Sequence, residues 1–156
     1  MTPAGNIRAL QRLLVLHYRS LPTYLGSLCS WGQEFWVGPD ADRFVETVRH
    51  MIADQHDLVD RLASAIQDRG GMVHMGEFPM RFTDMHDLSN QYLVACMIEC
   101  QQQDLAVIEL CVAQISGDAM AEGLARECLG AAKAHLQSLG ELAAADADLP
   151  AAVAVH

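Results

Sequence analysis

Positive charge is scarce in this chain, and no apolar run is long enough to cross a bilayer. Ten Lys and Arg stand against 20 Asp and Glu in 156 residues, a formal net charge of -10. Nucleic acid and anionic membrane both call for a basic surface, so neither is expected as a partner. A glycine-rich phosphate loop, a nucleophile elbow, a basic nucleic-acid motif and an internal repeat are all missing. Five cysteines, Cys29, Cys96, Cys100, Cys111 and Cys128, form no CxxC pair, are odd in number and lie in apolar stretches. That usage suits a reducing, cytoplasmic location. Arg8 and Arg12 precede the apolar run Leu13 to Leu16, which is too short for a secretory signal and is closed by His17.

What the chain does have is apolar residues, 51% of the total, in helical rhythm. This predicts one all-α domain over residues 1–145 and a loose Ala-rich tail over 146–156. A first helix is expected from Asn6 to Ser30, kinked at Pro22, with Leu10, Leu13, Leu14, Leu21 and Tyr24 inward. The second, Ala41 to Arg69, carries Val45, Val48, Ile52, Val59, Ala63 and Ile66 inward and stops at Gly70 and Gly71. The third runs from Asp87 to Ile115 and breaks at Ser116, Gly117 and Asp118; the fourth spans Ala119 to Ala145.

Connection lengths set the expected topology. A helix of this size is about 40 Å long, whereas a chain reaches about 3.5 Å per residue. The short links between helices 1 and 2 and between 3 and 4 therefore close antiparallel hairpins. The stretch from Gly70 to His86 can span the whole length, leaving helices 2 and 3 parallel. Two hairpins joined by one crossover make an antiparallel four-helix bundle of the ferritin-like kind.

Polar groups interrupt the expected inner faces. On helix 3, Tyr92, Ala95, Cys96, Ala106 and Leu110 mark an apolar face with Glu99 in its middle. A buried carboxylate must reach solvent, take a proton or meet a cation. His17, His56 and His135 fall on the inward faces of the other helices. Glu99 and His135 lie eighteen residues on either side of Gly117, so the hairpin sets them level. His17 and His56 are nearly equidistant from the first loop. Three imidazoles and a carboxylate in one layer suit one transition metal ion, iron, zinc or copper. A metal-free hydrogen-bonded set is the alternative, with the bundle serving as a structural or protein-interaction subunit.

The stretch Leu13-Leu14-Val15-Leu16-His17, followed by Ser20-Leu21 and Tyr24, resembles the first helix of the bacterioferritin and ferritin-like family, whose pattern is LLxxE. Ala53-Asp54-Gln55-His56 and Ala132-Lys133-Ala134-His135 resemble the family's two ExxH motifs, and Glu99 stands where its third helix carries a glutamate. The resemblance covers Leu10 to about Leu142 and implies an oligomer built from four-helix bundles. The glutamates that would bridge two irons are replaced by Ala53 and Ala132, which leaves little negative charge to hold a metal pair together. No ordinary di-iron ferroxidase centre is therefore expected, and any site is a degenerate, mononuclear one concerned with metal handling or redox protection. The family's haem-binding Met position is Asp54, so haem is not expected either.

Met72, Met75, Met80 and Met85 interleave with His74 and His86 in the crossover, a pattern of soft ligands for copper(I) or of adaptable packing. The cysteines are read as small apolar core residues. Trp31, Phe35 and Trp36 are expected to cover the bundle end or make a subunit contact.

Overall fold

The computed structural model describes residues 3–28, 41–85 and 88–147. Among them are five α-helices and no strand: α1 Pro3–Tyr18, α2 Leu21–Leu28, α3 Ala41–Gln67, α4 Asn90–Gln114 and α5 Ala119–Ala147. A 3-10 helix, Met80–Asp84, interrupts the connection between α3 and α4. Cys29, Trp31, Phe35, Trp36 and His86, together with residues 148–156, lie outside the described residues. No helix among the described residues is long and apolar enough to cross a membrane.

Where one kinked helix was predicted, the chain makes two. The Ser20 hydroxyl accepts from the Thr23 backbone N–H (3.2 Å), capping a new helix. Pro22 falls in the first turn of α2, where a missing N–H leaves nothing unsatisfied. Breaking at Ser20 therefore costs less than carrying a proline inside a continuous helix.

The other boundaries follow local chemistry closely. At the end of α3, the Gly71 N–H donates to the Ile66 carbonyl (2.9 Å) and the Gly70 N–H to the Gln67 carbonyl (2.8 Å). This paired closure needs a left-handed residue, and Gly70 sits at φ 74°. Asp118 starts α5, accepting from the Ala121 N–H at 3.1 Å. Its carboxylate also takes two bonds from the Arg69 guanidinium, 2.6 and 2.8 Å, tying the end of α3 to the start of α5. Asn6 bonds both the carbonyl and the N–H of Ser116, fastening α1 to the turn after α4.

α1 packs on α3 and α4 on α5, with further contacts between α1 and α4 and between α3 and α5. The core is divided into two clusters. The first takes Leu10, Leu13 and Leu14 from α1, Leu58, Leu62 and Ile66 from α3, Ile108 and Cys111 from α4, and Leu124, Ala125 and Cys128 from α5. The second takes Leu21 and Leu25 from α2, Phe44, Val48 and Met51 from α3, Leu93, Val94 and Met97 from α4, and Leu139 and Leu142 from α5. The connection after α3 lays Val73 against the first cluster and Phe78, Phe82, Met85 and Leu88 against the second. Arg19 holds it in place, donating to the Met75 carbonyl and lying over the Tyr18 and Phe78 rings. Met72, Met75 and Met80 are exposed, so of the methionines in this connection only Met85 packs on the core.

Candidate functional site

Between the two apolar clusters lies a layer of buried polar side chains, at least one from each of the four long helices. His17 comes from α1, Gln55 from α3, Gln101 from α4 and His135 from α5, with Ser20 and Thr23 added at the α1–α2 break. The Gln55 side-chain carbonyl accepts from the Ser20 hydroxyl (2.7 Å) and the Thr23 hydroxyl (3.2 Å). The Gln101 amide donates to the Ala132 carbonyl at 3.2 Å, one turn before His135. These bonds offset the cost of removing the amides from water.

The two histidines are satisfied less completely. His135 is 4% exposed, and its Nε2 lies 2.9 Å from an Asp54 carboxylate oxygen. A carboxylate only accepts, so the bond puts the ring proton on Nε2 and leaves Nδ1 as a bare lone pair in the neutral imidazole. Nδ1 is buried and has no hydrogen-bond partner among the described residues, and the same holds for Nε2 of His17, which is 3% exposed. The rings are near enough that charge on His135 adds to the effect of burial, and His17's pKa is lowered to about 4. His17 is thus a neutral imidazole at physiological pH. One wall of the layer opens outward, because His135, Asp54, His50, Ser138 and Glu141 line a polar opening of about 350 Å³ between α3 and α5.

Of the four expected ligands, the structure brings His17 and His135 into the core and leaves His56 and Glu99 exposed on the outside. Among the described residues, no group of three or more His, Cys, Asp or Glu side chains is placed to hold a metal ion. On α3 the buried residues are Phe44, Val48, Met51, Gln55, Leu58, Val59, Leu62 and Ile66, a stripe that keeps Val48, Val59 and Ile66 of the expected one but turns Gln55 inward in place of His56. On α4 the buried face is Leu93, Val94, Met97, Gln101, Ile108 and Cys111. The face with Tyr92, Ala95, Glu99, Ala106 and Leu110 looks outward. A carboxylate there needs no buried partner. Gln55 and Gln101 are not among the expected site residues, although both sit at helical spacing within runs of large apolar residues.

The four cysteines among the described residues all lie in or against the apolar clusters, and Cys100 also accepts a hydrogen bond from the Arg81 guanidinium. Cys111 and Cys128 are buried in the first cluster, and burial pushes the Cys128 thiol up to about 12. Cys96 and Cys100 are half-buried against the second. Compared with known proteins, the chain matches no family model, no curated protein and no solved structure.

Proposed function

We propose that the protein is a ferritin-like four-helix bundle that handles a single transition metal ion, copper(I), held between His17 and His135. The topology rests on the two clusters. α3 and α4 each begin in the second and end in the first, while α5 does the reverse, and the connection after α3 lies along both. That pattern is the one a crossover between parallel helices produces.

The observation that carries the metal reading is the pair of buried imidazole nitrogens left without hydrogen bonds, His17 Nε2 and His135 Nδ1. A ligating histidine characteristically gives its other ring N–H to a carboxylate, which is how Asp54 holds His135. Imidazole donors offer lone pairs but no negative charge, and among the described residues the carboxylate bonded to the pair, Asp54, balances a single positive charge. A singly charged ion content with two ligands fits this donor set better than a dication, whose burial would go largely uncompensated. The residues do not fit a di-iron pair, since Ala53 and Ala132 supply no bridging oxygen.

Competition for copper(I) against a chromogenic chelator, with zinc and iron(II) titrated alongside, tests the assignment. Wild type is expected to withdraw one equivalent and His17→Ala or His135→Ala none, with Asp54→Asn weakened by about tenfold. Variants that compete as well as wild type would sink the assignment. A second reading is favoured by the closed bonding of Gln55 to Ser20 and Thr23. In it the polar layer only fixes helix register, and the protein acts as a metal-free structural or interaction subunit. That reading predicts no saturable binding of any of the three metals.

A further inference from the structure

The outward face of α4 is unlike that of α3. Positions 92, 95, 99, 103, 106, 110 and 113 recur every three or four residues and fall on one line, opposite the side that enters the core. They are Tyr92, Ala95, Glu99, Gln103, Ala106, Leu110 and Ala113, all exposed, and only one of the seven is charged. Tyr92 and Leu110 stand 56% and 58% exposed. The exposed residues of α3, by contrast, include Asp42, Arg43, Glu46, Arg49, Asp57, Asp60 and Arg61. A helix that is apolar on its solvent side as well as its core side has a second surface to cover.

The order of side chains along the line says what covers it. From Tyr92 it reads large, small, polar, and from Leu110 in the opposite direction it reads the same: Tyr92, Ala95, Glu99 against Leu110, Ala106, Gln103, with Ala113 lying beyond the repeat. Turned over about a twofold axis level with Gln101, the face matches itself. Tyr92 meets the second copy's Leu110, and Ala95 lies by the second copy's Ala106, where small side chains let the two helix axes approach closely. Glu99 then sits opposite the amide of the second copy's Gln103, an acceptor facing a donor. This arrangement also confines like charge to one carboxylate per copy, which matters for a chain of net charge -10.

We propose that the exposed face of α4, from Tyr92 to Ala113, is a homodimer interface in which two copies of this chain pack antiparallel about a twofold axis level with Gln101. The contact is isologous, with the same patch on both partners. A single helix pair about 30 Å long buries on the order of 1,000 Å² in total, at the low end for specific association.

Sedimentation velocity of the full chain over a wide concentration range tests this, since Leu110 and Ala106 lie outside the core and their replacement spares the fold. Wild type is expected to show a monomer–dimer equilibrium, and Leu110→Glu and Ala106→Glu to raise its Kd by about tenfold or more. The double variant Ala95→Cys/Ala106→Cys is expected to trap a disulfide-linked dimer on mild oxidation. Those two positions are about 16 Å apart along one helix and cannot bridge within a chain. Efficient trapping by Ala95→Cys alone would mean a parallel pair and overturn the register. A monomer at every concentration, or a dimer indifferent to Leu110→Glu, would overturn the interface itself.

Discussion

Burial pushes the Asp104 carboxyl up to about 6, although the nearby Arg81 guanidinium pulls the other way. Its folded-state pKa lies above its unfolded value, so the stability it contributes is present at low pH and is lost as pH rises from about 4 to 6. His17 has the opposite sign. With a folded pKa lowered to about 4 from 6.5, its contribution is full above 6.5 and is lost as pH falls through that window. In wild type the two effects oppose each other between pH 4 and 6. Asp104→Asn is expected to stabilise the protein at pH 7 by about 1–2 kcal/mol and to steepen its loss of stability on acidification. His17→Leu should do the reverse, gaining stability as pH falls from 6 to 4. Urea unfolding at a series of pH values separates the two, and parallel curves for all three proteins would refute the assignment. The histidines also show what could be read from the sequence. His17 and His135 were legible because each lies in a single clear apolar stripe. His56 was not, because α3 carries apolar residues on two stripes one position apart, and the more strongly buried one passes through Gln55.

Helix ends were the most legible features of the chain. Gly70 and Gly71 and the Ser116–Asp118 turn stop and start helices where their chemistry demands, and the expected bounds of α3 and α5 differ from the observed ones by two residues at one end. The break at Ser20 is harder to read, because Pro22 marks a kink whereas the cap two residues earlier makes the new start. Ser20 serves twice, as cap of α2 and as donor to Gln55. Ser20→Ala is accordingly expected to cost about 1–2 kcal/mol, more than an ordinary exposed cap. Chemical denaturation measures this, and a loss below a few tenths of a kcal/mol would mean that Gln55 finds another donor. α4 was legible as a helix but not in its orientation. Apolar residues surround nearly its whole circumference, so periodicity alone does not say which side is inside.

At the scale of the whole molecule, an all-helical chain could be anticipated from periodicity, but a core split in two could not. The split depends on which of several polar residues turn inward, and that is decided by packing among four helices at once. It has a consequence for how the protein opens. Side chains on either side of the polar layer touch mainly within their own cluster, so each end is held by its own set of contacts and can come apart without the other. The chain carries thiol reporters for both ends, Cys111 and Cys128 in one and Cys96 and Cys100 against the other. In native-state alkylation followed by mass spectrometry, Cys111 and Cys128 are expected to react together, with one opening free energy and one denaturant dependence. Cys96 and Cys100 should follow another. Loss of both pairs along a single curve would show that the interior gives way as one body. Two curves would describe a protein that breathes from one end while the other keeps its shape.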